Sequence, residues 1–411
     1  MKKPNEPAPA NAPTVSLDTW QVKSRRIAAA AGVIVFAVVC ALTLNRSFFE
    51  QIANNIFFSL TVAGCAILFV SVRPLREFPQ VAAVGSILVG MQLFVLKVPL
   101  RALPALALLG MSSLLLLVIR RIWSGDEERP LLHYAIFPPL LFILLGYFGS
   151  GPLEITGRLH PKTLDLFLYS FDQSLGVQLS FKVGQVVLPS PLLTRAALAM
   201  YYVLPIAILF TYARQLVRDR NLAMTAFLSF LIAGPVGVVF YNLVPACGPA
   251  YLFGAKFPFE PLSMQQLNQL PLQALTIAGP RNAFPSLHLG WALLVWWYSE
   301  GLSRWAKSAA VGFLVGTVFA TLGLGEHYFI DLVMAFPFAL MIQAACALKV
   351  SGLDARRLIP LLTGLALMLV WVVLLRWGLP VVWINPVMPW LFVAGTIGLS
   401  IFLQARLRRV L

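Results

Sequence analysis

Stretches of about 17–25 predominantly apolar residues recur along almost the whole chain, each long enough to cross a hydrocarbon layer as a helix. Within lipid every backbone N–H and C=O must be satisfied inside the structure, so such a chain is confined to bundled helices or a closed barrel, and runs of this length select helices. Spans are expected near 27–45, 54–72, 79–97, 103–120, 132–149, 192–213, 222–245, 286–302, 307–324, 327–348, 358–376 and 386–405, about twelve in all. The expected fold is therefore an all-α polytopic membrane protein. Composition agrees: 59% of the residues are hydrophobic and 11% charged, too few to clothe a soluble domain of 411 residues.

The net charge of +15 would suit nucleic acid only if the basic residues shared one soluble face. They lie instead in small clusters between apolar runs, so the expected partners are membrane lipids and not nucleic acid. Lys2, Lys3, Lys23, Arg25 and Arg26 precede the first span, and Arg73, Arg76, Arg120, Arg121, Arg129, Arg214, Arg218 and Arg220 fall in alternate connections. Arg304, Lys307, Lys349, Arg356, Arg357, Arg406, Arg408 and Arg409 continue that alternation. By the positive-inside rule both termini are expected in the cytoplasm. Residues 1–24 read as a disordered cytoplasmic tail rich in Pro and Ala. Cys40, Cys65 and Cys346 fall in apolar runs and Cys247 stands in a polar connection, which gives neither a disulfide framework nor a zinc site.

Two stretches hold the candidate chemistry: Arg281-Asn282-Ala283-Phe284-Pro285-Ser286-Leu287-His288 and Gly325-Glu326-His327-Tyr328-Phe329-Ile330-Asp331. On this topology both histidines lie at outer ends of spans, at one depth. His327 and Asp331 are four residues apart, on one helical face, where a carboxylate can hold an imidazole N–H. His288 follows Pro285 and Ser286 at a helix start, where free N–H groups and the dipole favour an anion. Arg281 and Ser286 are the candidate phosphate contacts. Glu326, Tyr251 and Lys256 are possible substrate contacts, though Glu326 could equally be a helix cap and Lys256 a solvated loop residue. His133 and His160 read as interfacial residues. A metal site lacks a well-placed third ligand, and a transporter would place its ionisable groups nearer the midplane. Phosphoryl transfer fits better: His327 attacks phosphorus, Asp331 orients it, and His288 protonates the leaving oxygen. No cofactor and no metal is required.

The connection 150–191 contains Asp165 to Gly176, whose pattern suits short amphipathic interfacial helices as well as it suits a plain loop. The connection 246–285 opens with Pro245-Ala246-Cys247-Gly248-Pro249-Ala250-Tyr251, dense in Pro and Gly and therefore shaped and non-helical. Polar features cluster in 150–348, so the chain divides into accessory spans at 25–149, a catalytic region at 150–348 and an accessory pair at 349–411.

At these motifs the chain resembles the type 2 phosphatidic acid phosphatase (PAP2) superfamily, in particular the branch similar to inositol phosphorylceramide synthase. Pro285-Ser286-Leu287-His288 looks like that branch's second motif, and Gly325 to Asp331 like its third; the Asp165 to Gly176 stretch resembles the segment that opens the domain in bacterial members. The lysine and later Arg-Pro of the wider superfamily's first motif are not visible, and Thr321 to Glu326 lacks the arginine that usually precedes the third-motif histidine. The resemblance implies a six-helix, metal-independent catalytic core with His327 as nucleophile, Asp331 as orienter and His288 as acid. The function expected is a membrane phosphotransferase moving a phospho-headgroup from a phospholipid to a lipid or sugar alcohol. The alternatives are a phosphatase acting on phosphatidic acid or a polyprenyl diphosphate, and, from another class, a non-catalytic transporter or scaffold. The expected setting is a bacterial inner membrane with a periplasmic active site.

Overall fold

A computed structural model describes residues 54–97, 101–148, 150–379 and 387–411, with scattered positions from 32 to 52 and Asn385. The expected tail at 1–24 and about half of the first expected span lie outside the described residues.

Helices α1 (Ile56–Ala63), α2 (Cys65–Val72), α3 (Phe78–Met91), α4 (Ala102–Trp123), α5 (Arg129–Phe148) and α6 (Ser150–Leu159) form the N-terminal part. Strand β1 (Lys162–Thr163), α7 (Asp165–Ser174), α8 (Leu179–Val187), α9 (Pro191–Tyr202), α10 (Leu204–Arg218) and α11 (Arg220–Leu243) follow. After them come α12 (Pro249–Phe253), α13 (Met264–Asn268), β2 (Leu275–Thr276), α14 (Leu287–Tyr298), α15 (Arg304–Gly323), α16 (Phe329–Ala345), α17 (Ala355–Val373) and α18 (Met388–Arg408). The strands make one short antiparallel pair, Lys162 with Thr276 and Thr163 with Leu275, which ties the two long connections together.

Among the described residues seven helices are long and apolar enough to cross a membrane, eight if the pair α8 and α9, bent by 120°, counts as one span. These helices fit an integral membrane protein. Of the five expected spans not among these seven, 27–45 lies partly outside the described residues and the other four are short or interrupted. The 54–72 run divides at Gly64, and the 192–213 run divides at Val203, just before Pro205. The 286–302 run stops at a Ser299 cap, and the 327–348 run starts at Phe329 and stops at a Cys346 cap. The connection 150–191 is helical, not a plain loop.

Packing joins all three parts of the chain. The main hydrophobic core runs from Leu164 through α16 and includes Met368, Trp371, Val393 and Leu403, so the C-terminal pair shares it. Trp390 Nε1 donates to the Leu175 carbonyl at 3.2 Å, and the Phe171 and Trp371 rings meet edge to face at 4.9 Å. On the other side Leu68, Phe69, Leu132 and Ile136 pack with Leu209, Tyr212 and Phe227 of α10 and α11, and Tyr212 donates its hydroxyl to the Tyr134 carbonyl at 2.6 Å.

Glycine sets the closest approach in the N-terminal part. A Cβ at Gly110 of α4 would stand 1.9 Å from the Val62 carbonyl oxygen of α1, whereas one at Gly90 of α3 meets nothing within 4 Å. Gly110→Ala should therefore force the helices apart at a cost of about 1–3 kcal/mol or more. Gly90→Ala should leave stability unchanged or raise it by up to about 1 kcal/mol through helix propensity. Melting temperatures of the two variants in detergent check this; equal behaviour would contradict the packing.

Candidate active site

The two histidine stretches are brought together by backbone bonding between segments that are distant in the chain. The Ser286 N–H donates to the Asp331 carbonyl at 3.1 Å, and the Ala283 N–H donates to the Ala246 carbonyl at 3.0 Å. The Ala250 N–H donates to the Gly325 carbonyl at 2.9 Å. Two glycines permit this weave. Gly248 has φ +112°, and a Cβ there would lie 2.4 Å from the Glu326 carbonyl oxygen; Gly325 has φ +73°, and a Cβ there would strike Phe257 and Ala250 at 2.6 and 2.8 Å.

His288 and His327 face one another with ring centroids 6.4 Å apart. His327 is 2% exposed. Its Nδ1 stands 2.9 Å from the Ala283 carbonyl oxygen. A carbonyl can only accept, so Nδ1 carries the proton and Nε2 keeps its lone pair. Asp331 was expected to take that proton's hydrogen bond; its Oδ2 lies 3.6 Å from Nδ1, at ion-pair distance, and accepts the Tyr328 N–H at 2.7 Å. The nearer acceptor is thus main chain, with the carboxylate behind it. The Oδ1 of Asp331 and the Nε2 of His288 are buried without a hydrogen-bond partner. The His288 ring stacks on Tyr201 at 3.8 Å with planes 24° apart.

The remaining sequence candidates take different places. Ser286 is buried and caps α14, its Oγ accepting the Leu289 N–H at 3.4 Å. Arg281 is 6% exposed, and its fork is engaged with main chain: Nε with the His160 carbonyl at 3.0 Å and one Nη with the Pro161 carbonyl at 3.0 Å. The other Nη donates to the Gly279 carbonyl and lies 3.7 Å from Cys247 Sγ. Arg281 is therefore a strut between the long connections. Glu326 is half-buried beside His327, and burial pushes its carboxyl above the ordinary range while His327 opposes the shift. Tyr251 packs against Gly279, and burial first, then Glu326, pushes its hydroxyl up to about 12. Lys256 is exposed and pairs with Glu260 at 3.7 Å. His160 lies 3.0 Å from Asn242 Oδ1, and His133 packs on Phe137 at 4.3 Å. Burial pushes the Cys247 thiol up to about 12, which keeps it protonated and unreactive. Among the described residues no cluster of three or more His, Cys, Asp or Glu side chains is arranged to hold a metal ion.

Sequence reasoning missed two aspartates on α7. Asp165 accepts the Cys247 N–H at 3.1 Å, the Gly248 N–H at 2.8 Å and the Tyr328 hydroxyl at 3.0 Å. Asp172 accepts the N–H groups of Phe329 and Ile330 at 2.6 and 3.1 Å, at the start of α16. Both are fully buried, and burial raises both carboxyls while the backbone N–H groups oppose it. The signal was available: two aspartates seven residues apart fall on one helical face, in a stretch whose other members are mostly apolar. Ser180, likewise buried, donates to the His327 carbonyl at 3.0 Å.

Fold and site together define a class: an all-helical membrane protein with a buried and a half-buried histidine paired at the starts of two helices. Residues 166–345 match a family model described as the PAP2 superfamily, which generally comprises phosphatases and phosphotransferases. No curated protein and no solved structure matches the chain.

Asp172→Asn tests the role of α7. An amide places N–H against one of the two backbone donors, so a buried N–H loses its acceptor, and the expected loss is about 1–3 kcal/mol. The melting temperature in detergent should fall, and an unchanged value would mean that the start of α16 does not depend on this carboxylate.

Proposed function

We propose that the protein is a phosphotransferase of membrane lipids, working through a phosphohistidine on His327. The observation that carries this reading is the 2.9 Å approach of His327 Nδ1 to the Ala283 carbonyl oxygen beside His288, which favours the tautomer with its proton on Nδ1 and the lone pair on Nε2. The PAP2 match over 166–345 supports the same chemistry.

In the first step Nε2 of His327 attacks phosphorus, the bond from phosphorus to the leaving oxygen breaks, and protonated His288 delivers its proton to that oxygen. His288 sits in an aromatic pocket where a charge is poorly solvated, and the incoming phosphate anion supplies the counter-charge that the pocket lacks. Phosphorylation makes the His327 ring cationic, and Asp331 at 3.6 Å then stabilises it through space. In the second step an acceptor hydroxyl gives its proton to His288 and attacks phosphorus, and the phosphorus–nitrogen bond breaks to restore the His327 lone pair. The positive end of α14, capped by Ser286, adds to the attraction for phosphate, as does the nearby charge of Arg281. Glu326 and Tyr251 are the proposed polar contacts of the transferred headgroup. The assignment of 150–348 as catalytic region, and the likeness to the inositol phosphorylceramide synthase branch, belong to the same proposal. Burial of the nucleophile favours an alcohol acceptor over water, because a 2% exposed imidazole meets little solvent.

The test is incubation of the detergent-purified protein with radiolabelled phospholipids and polyprenyl diphosphates, alone and with lipid or sugar alcohols. The expected product is a new phospholipid, formed through an acid-labile, alkali-stable phosphoenzyme. His327→Gln should lower turnover by roughly a thousandfold or more and abolish the phosphoenzyme. Free phosphate as the sole product would make the protein a phosphatase. Turnover surviving in His327→Gln would remove His327 as nucleophile.

A further inference from the structure

The N-terminal helices reach the histidine pair. Phe57 of α1 stands 5.6 Å from the His288 ring, 5.9 Å from Tyr201 and 5.3 Å from Tyr202, centroid to centroid, and closes an aromatic wall on the side of His288 where Tyr201 stacks. Its placement is firm, because α1 is held against α4 at Gly110 and α2 begins against Leu209 of α10 at Gly64. The wall carries no charge. His288 Nε2 is the buried polar atom within it that has no partner.

We propose that Phe57 is a specificity-determining residue, and that with Tyr201 and Tyr202 it receives the aliphatic part of a lipid alcohol leaving group. The inference rests on the phosphoryl-transfer reading in one respect, the role of His288. If His288 protonates the leaving oxygen, the carbon bonded to that oxygen must lie beside the imidazole and so against these rings. Aromatic faces gain free energy from apolar groups, so an aliphatic chain is the part of a substrate that these ring faces can bury.

The experiment has two readouts on the full chain in detergent. In the first, one headgroup is supplied as its dioctanoylglycerol ester and as the deacylated glycerol ester, and kcat/KM is compared for wild type, Phe57→Ala and Phe57→Leu. The ratio of the dioctanoyl to the deacylated ester should fall by about tenfold in Phe57→Ala and stay within about threefold of wild type in Phe57→Leu. A purely structural role would lower both esters together and leave the ratio unchanged, which would overturn the assignment. The second readout needs no turnover: a diazirine-tagged dioctanoylglycerol should label residues 56–63 or 191–202, and unlabelled dioctanoylglycerol should compete. Labelling confined to other segments, or no competed labelling, would also overturn it. Competed labelling at 56–63 in a protein that turns over neither ester would sink the phosphotransfer reading and leave the lipid-alcohol site standing.

Discussion

Two carboxylates on a buried helix hold the histidine site in shape. Asp165 and Asp172 of α7 between them accept four backbone N–H groups, from Cys247, Gly248, Phe329 and Ile330. Those N–H groups belong to non-helical turns and a helix start, which have no partner within their own segment and would be costly to bury alone. An ionised carboxylate is a strong acceptor for such donors, which is why acidic residues sit in an otherwise apolar interior. The geometry of His327 follows, because its segment is fixed on one side by Gly325 and on the other by the capped start of α16.

The same helix explains why the accessory parts are not appendages. Through Phe171 and Leu175, α7 touches both C-terminal helices, so a displacement of that pair would be felt at the carboxylates. On the opposite flank the N-terminal helices pack on α10 and present Phe57 to His288. Both ends of the chain thus buttress a site whose own elements are short. Several of those elements, α7, α8, α12 and α14, are too short to be stable by themselves and depend on this packing.

The electrostatic character of the site also comes from burial. The guanidinium of Arg281 is engaged with three carbonyls, and the carboxylates of Asp165 and Asp172 are engaged with backbone N–H groups. What remains near the two imidazoles is mostly hydroxyl and ring. Such an environment disfavours isolated charge and makes binding of an anion and protonation of His288 mutually dependent.

Much of this was legible in the chain itself. Apolar run lengths determined a helical membrane fold, because no other arrangement satisfies the backbone in lipid, and the motif spacing determined that His288 and His327 would stand at helix starts. The four-residue interval brought Asp331 to the His327 face. Sequence could not say that a main-chain carbonyl, from Ala283, would lie closer to Nδ1 than that carboxylate, since loop carbonyls leave no mark on residue identity. Nor could it say that Arg281 would brace carbonyls, that Asp165 and Asp172 would cap turns far along the chain, or that a residue as unremarkable in sequence as Phe57 would reach His288. Those contacts join segments separated by scores to hundreds of residues, and apolar periodicity is the same whether a side chain meets lipid, core or substrate. Only the tertiary packing decided which.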